Sequence, residues 1–212
     1  IVNGTEATIQ SGKVTVSRST DSPQGNISSS ATNVVLAKYK IKASGEDVKV
    51  TALTLKIYGT IATAGMYQTA IYYDGAQIGQ TTTTMNSGAT AGATGGTTFS
   101  FGNTFVLPAG VEKVIEIRSD IKTSAGGTIT AGSTLTGQIS SFTATGKTSS
   151  ATVTIGSVTG YQLTVSAGTM AVTKNQAVPS WTATVPTGVA GGVNVLIGSF
   201  ILTAGSGEGA NI

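Results

Sequence analysis

NVVLAKYKIKASGEDVKVTALTLKIYG, residues 33–59, carries the clearest structural signal in the chain. Val, Ile, Thr and Tyr suit a pleated backbone, and successive side chains of a strand point to opposite faces. From Val34 to Ala43 the row Val35, Ala37, Tyr39 and Ile41 alternates with Leu36, Lys38, Lys40 and Lys42. That is the pattern of a strand with one buried and one wet face. Val48 to Gly59 reads as a second strand. Val48 and Val50 share one phase, whereas Leu53, Leu55 and Ile57 share the other. A slip of one residue predicts a β-bulge near Thr51-Ala52.

The same alternation continues in both directions. Strands are expected over Lys13–Ser17, Tyr67–Tyr73, Gln77–Thr81, Thr97–Val106, Val114–Ile121, Leu135–Thr145, Thr152–Ile155 and Gln162–Val165. Asp74-Gly75 between two of them is a hairpin turn signal, because both central residues of such a turn need positive φ. Thr82–Thr98 and Ser124–Ser133 have little apolar pattern and read as loops. No stretch sustains a period of about 3.6 residues, so no amphipathic helix is expected. Many short strands separated by turns imply an all-β sandwich of two antiparallel sheets.

Composition narrows the chemistry. The 212 residues include no Cys and no His. This excludes thiol nucleophiles, disulfides, Ser-His-Asp triads and the usual zinc sites. Charged residues are 10% of the chain, against about 25% in average soluble domains. The 12 basic and 9 acidic residues leave a net charge of +3, and the densest basic group, Lys38, Lys40 and Lys42, lies on one strand face. Without aromatic stacking partners this row reads as a solvated face, not a nucleic-acid platform. The glycines form neither a Walker pattern nor a dinucleotide fingerprint. No apolar run approaches the roughly 20 residues of a membrane-spanning helix.

The chain also repeats itself. NGTEATIQSGKVTVSRSTDSP (3–23) matches TGYQLTVSAGTMAVTKNQAVP (159–179) at an offset of 156 (159 − 3). Gly4 matches Gly160, Thr8 Thr164, Gly12 Gly168, Val16 Val172 and Pro23 Pro179, and Val14 pairs with Met170. NVVLAKYKIKASG (33–45) matches NVLIGSFILTAGS (194–206) at an offset of 161 (194 − 33), with Tyr39 pairing with Phe200. The expected organisation is three parts. Residues 1–10 are a trailing strand of a preceding repeat, or a linking or donor strand. Residues 11–165 are one complete repeat, and residues 166–212 open a second, incomplete one. About 45 residues bury little core alone. The chain is therefore expected to be a piece of a longer tandem protein, or to be completed by strands of another chain.

The phrases at 33–59, YYDGAQIG (72–79) and FVLPAGVEKVIEIRSDI (105–121) resemble the repeated Ig-like domains of giant surface and S-layer-type proteins of candidate-phyla-radiation bacteria and some archaea. The resemblance covers most of residues 11–165 and the start of the second copy. The second copy departs in its longer Trp181–Val193 loop and in GEGAN, which stands where the first has GEDVK. The resemblance implies Ig-like antiparallel β-sandwich repeats, one complete plus the start of a second. It further implies an extracellular, cell-surface structural component of an S-layer, sheath or fibre. Together with the missing catalytic residues it implies no enzyme activity, and self-association with identical chains or neighbouring repeats. Two alternatives stand beside it. One is a subunit of a donor-strand-complemented filament or pilus. The other is an adhesin or carbohydrate-binding module that contacts surface glycans.

A few residues are candidates for sites. Glu46 and Asp47 at a strand junction offer paired carboxylates that suit Ca²⁺, a cation taking six to eight oxygen ligands. The alternative is a polar turn, which is also how Asp74 reads. No other cofactor is expected. Asn3-Gly4-Thr5 and Asn26-Ile27-Ser28 fit the N-glycosylation pattern. Trp181 and Tyr39 are candidates to stack on sugars, with packing in the core as the alternative for each.

Overall fold

In the computed structural model the alternation at residues 33–59 becomes two long strands that lie in different sheets. The structure describes residues 11–61, 66–83, 85, 96–122, 126–168, 170–177 and 199–204. No helix occurs among them, and the sheets are antiparallel apart from one edge pairing. The chain divides into two units, Ile1–Ser166 and Ala167–Ile212.

The described strands of the first unit are β1 (Lys13–Arg18), β2 (Gly25–Ser28), β3 (Val34–Ser44), β4 (Val48–Tyr58), β5 (Tyr67–Tyr73) and β6 (Ala76–Thr82). They continue with β7 (Thr97–Ser100), β8 (Val106–Leu107), β9 (Glu112–Asp120), β10 (Thr134–Gly146), β11 (Thr152–Val153) and β12 (Val158–Ser166). One sheet runs β1-β3-β9-β5-β6. The other runs β2-β12-β10-β4-β7, with β11 on β10 and β8 on β4. β12 packs across β1 and β3, so the inward rows of the two sheets form one core. Tyr39, Ile41, Ile115 and Ile117 supply one side, and Leu53, Leu55, Leu135, Leu163 and Val165 the other, all fully buried.

The bulge in β4 lies where the phase slip predicts it. Ala52 pairs with Thr143 and Val50 with Ala144, which leaves Thr51 as the extra residue. A second bulge is not anticipated from sequence. Val35 pairs with Arg118 and Ala37 with Ile117, so Leu36 is extra, and it turns inward instead of joining the lysine face. An apolar side chain gains by leaving water, which favours the slip. Asp74 (φ 51°) and Gly75 (φ 85°) form the expected two-residue turn between Tyr73 and Ala76. The expected Thr97–Val106 strand is instead two short ones, β7 and β8. Phe101 and Phe105 between them are buried and meet edge to face at 5.2 Å.

β2 is absent from the sequence reading. It pairs in parallel with β12, Ile27 beside Val165, at the edge of the second sheet. The chain thus crosses from one sheet to the other between β1 and β2. Ser19 and Ser22, both buried, build the crossing: Lys38 N–H donates to Ser22 Oγ at 3.0 Å, and Ser19 N–H to the Lys38 carbonyl at 3.0 Å.

In the second unit β13 (Met170–Lys174) and β14 (Phe200–Ala204) form an antiparallel pair. Trp181 and the Trp181–Val193 loop lie outside the described residues, as do Asn3 and most of the expected Thr82–Thr98 loop.

Candidate functional site

Glu46 sits at the turn between β3 and β4, and its carboxylate is a latch for three chain segments. Oε1 accepts hydrogen bonds from Gly12 N–H at 2.9 Å and Ser149 Oγ at 2.5 Å. Oε2 accepts from Thr148 N–H at 2.7 Å and Ser149 N–H at 2.9 Å. Donors that favour the charged form, led by Ser149, hold the Glu46 carboxyl down at about 2. Asp47 works alongside: its Oδ1 accepts from Ala109 N–H at 2.9 Å, and its carbonyl from Lys147 N–H at 2.8 Å. The two carboxylates therefore tie the β1 entrance, the β3–β4 turn, the segment before β9 and the β10–β11 turn together at one end of the sandwich. Among the described residues no three acidic side chains converge as a metal cage would require.

The lysine row on β3 faces outward and meets acidic neighbours. Lys38 lies 3.1 Å from Asp21 and 3.3 Å from Glu116, and Lys40 lies 3.0 Å from Glu112. The Asp21 carboxylate, hydrogen-bonded to Lys38, raises the Lys38 ammonium above its ordinary value. Arg118 pairs with Glu116 at 2.6 Å and lies 4.3 Å over the Tyr72 ring. Asp74 pairs with Lys113 beyond its turn role. Tyr39 is buried, not displayed: its hydroxyl donates to the Gly137 carbonyl at 2.9 Å across the core. Asn26 is exposed on the edge strand β2.

Among the described residues, the most exposed apolar side chains lie on the β13–β14 pair. β13 pairs Met170 with Ala204, Val172 with Leu202 and Lys174 with Phe200. β1 pairs Val14 with Ala43, Val16 with Ile41 and Arg18 with Tyr39. Shifting the second set by 156 on β1 and by 161 on β3 reproduces the first set at every pair. The hydrogen bond that extends each ladder corresponds too. Ser19 N–H donates to the Lys38 carbonyl at 3.0 Å, and Asn175 N–H to the Ser199 carbonyl at 3.0 Å.

Burial does not correspond. Tyr39 and Ile41 have no exposure, whereas Phe200 is 68% and Leu202 44% exposed. Val172, across from Leu202 on the same face, is 58% exposed. Among the described residues five large hydrophobic side chains are exposed, and four of them are on this strand pair. The sequence comparison flags both strands through the repeat, but burial cannot be read from a strand pattern alone. No known protein family matches the chain, and no curated protein matches it.

Proposed function

We propose that this chain is part of a non-catalytic structural protein of an extracellular surface assembly, such as an S-layer, sheath or fibre, built from successive Ig-like β-sandwich repeats. The observation that carries the reading is the shared register of β1–β3 and β13–β14. Two separate sequence offsets meet in one pairing scheme, as they would if both pairs opened copies of one domain. The order β1-β3-β9-β5 opposite β2-β12-β10-β4, with the first strand shared between the sheets, supports the Ig-like reading. The absence of Cys and His supports a structural role over a catalytic one. Low charge and richness in Thr, Ser and Gly suit a surface protein.

The test is electron microscopy of the native assembly together with the intact mass of its subunit. A regular lattice or fibre whose subunit is far heavier than the 21.1 kDa of this chain supports the tandem reading. A dispersed, monomeric native protein with no surface lattice overturns it.

A further inference from the structure

Gly12 and Ser166 lie at opposite ends of the first sandwich. Gly12 sits on the Glu46 carboxylate, at the end where β10 finishes and Gly146 pairs with Val48. Ser166 closes β12 at the other end, where β10 begins and Thr134 pairs with Thr164. The 12 steps of β10 from Thr134 to Gly146 (146 − 134) set the two ends roughly 40 Å apart, at about 3.3 Å per residue. β1 runs antiparallel to β3 and β12 antiparallel to β10, so both run away from the Glu46 end.

Opposite pulls on Ser11 and Ser166 therefore act along the strands. β1 must slide past β3 against six residue pairs. Beyond the crossing, β2 lies parallel to the end of β12, from Gly25 beside Leu163 to Ser28 beside Ser166. Parallel neighbours drawn in opposite directions load all the evenly spaced bonds of their ladder at once. A strand peeled sideways loses its bonds one at a time. Arg18 also ties β1 to β12 directly. Its guanidinium lies 3.7 Å over the Tyr161 ring, and its Nη1 donates to the Thr159 carbonyl at 3.5 Å.

The latch stands where such a pull arrives. Gly12, which donates its N–H to Glu46 Oε1, follows Ser11 directly. The backbone around the carboxylate is fitted to it. A Cβ on Gly12 would stand 3.0 Å from Glu46 Cγ, and one on Gly146 would collide with the carboxylate itself. Thr148 and Ser149 hold the same carboxylate, so a pull on β1 passes to the β10–β11 turn as well as to β3.

We propose that the Glu46 latch is a tension clamp, which grips the start of β1 so that force along the chain loads the β1–β3 and β2–β12 ladders together in shear. The function this adds is the bearing of load, which rests on the structural reading above; the clamp geometry belongs to the first unit alone.

Single-molecule pulling of the full chain tests this. The chain has no cysteine, so two introduced thiols are the only attachment points for handles. One pair, Ser11→Cys with Ala167→Cys, pulls along the strands. The other, Ser11→Cys with Ser44→Cys, pulls β1 sideways off β3, because Lys13 pairs with Ser44. Forced unfolding reads the unfolding rate. At one constant force the folded state should last about tenfold longer or more in the first geometry than in the second, since several ladder bonds must break together. In the first geometry Glu46→Gln should shorten that dwell time about tenfold, the scale of one lost hydrogen bond to a charged group. Ser149→Ala should shorten it by less. Ile71→Ala, fully buried on β5 and outside the pulled strands, should lower the melting temperature and still outlast Glu46→Gln under load.

Equal dwell times in the two geometries overturn the proposal. So do Glu46→Gln and Ser149→Ala variants that last as long as the parent. An Ile71→Ala variant that fails as early as Glu46→Gln also overturns it, because the dwell time then reports overall stability. None of these outcomes touches the tandem reading, which the mass and microscopy of the native subunit decide.

Discussion

The β1–β3 pair and the β13–β14 pair share one register and differ in almost everything that register does not control. In the first, Tyr39 and Ile41 lie under β10 and β12 with no exposure. In the second, Phe200 and Leu202 hold the matching positions and face outward, 68% and 44% exposed. Pairing is a property of two neighbouring strands, settled by side-chain alternation and ladder hydrogen bonds. Burial is a property of what lies across the sheet. The pairing scheme can therefore recur with its matching side chains exposed.

The sharpest way to test the contrast is to shorten the matching residues. Ile41→Ala should destabilise the first unit by about 2–5 kcal/mol in denaturant titration, the range for a buried aliphatic truncation. Tyr39→Phe comes next. It makes the first pair chemically like the second, where Phe200 stands. It should cost about 1–2 kcal/mol, because the Gly137 carbonyl loses its hydroxyl donor inside the core.

The third experiment breaks the latch that joins the β1 entrance to the β3–β4 turn. The Glu46 carboxyl titrates at about 2 in the folded chain, below its ordinary 4.5. A depressed folded value means that its contribution is fully present above about 4.5 and fades as pH falls toward 2. Melting temperature followed from pH 6 to pH 2 should therefore decline more steeply in the wild type than in Glu46→Gln. At neutral pH Glu46→Gln should melt lower than the wild type. Parallel profiles would remove the latch from the account. The smallest effect is expected from Leu202→Ala, within about 0.5 kcal/mol on the melting of the chain alone, as for other exposed substitutions. A large loss there would mean that this face of the β13–β14 pair is already covered and would erase the contrast.

How much of this was legible beforehand varies residue by residue. The bulge at Thr51 was readable because apolar residues on both sides of it fix their phases independently. The β5–β6 turn was readable because Asp74-Gly75 is a local signal. The bulge at Leu36 was not, since Leu36 and Ala37 are both apolar and either could face inward. β2 was invisible for another reason. Only Ile27 of its four residues is buried, and its partner β12 is distant in the chain. Glu46 was noticed for its carboxylate, but its donors Gly12, Thr148 and Ser149 come from segments that sequence proximity does not connect.

The sequence by itself determined most of the strands, the all-β class, the poverty of catalytic groups and the two offsets that match β13 to β1 and β14 to β3. These are local or internally repeated, and alternation with period two records them directly. Only the tertiary structure decided which carboxylate oxygens receive donors, which strand crosses to the opposite sheet, the register of each strand pair and which of the two matching pairs is sealed. Those depend on atoms brought together from distant parts of the chain, and the free energy of desolvation acts on the assembled surface, not on the string of residues.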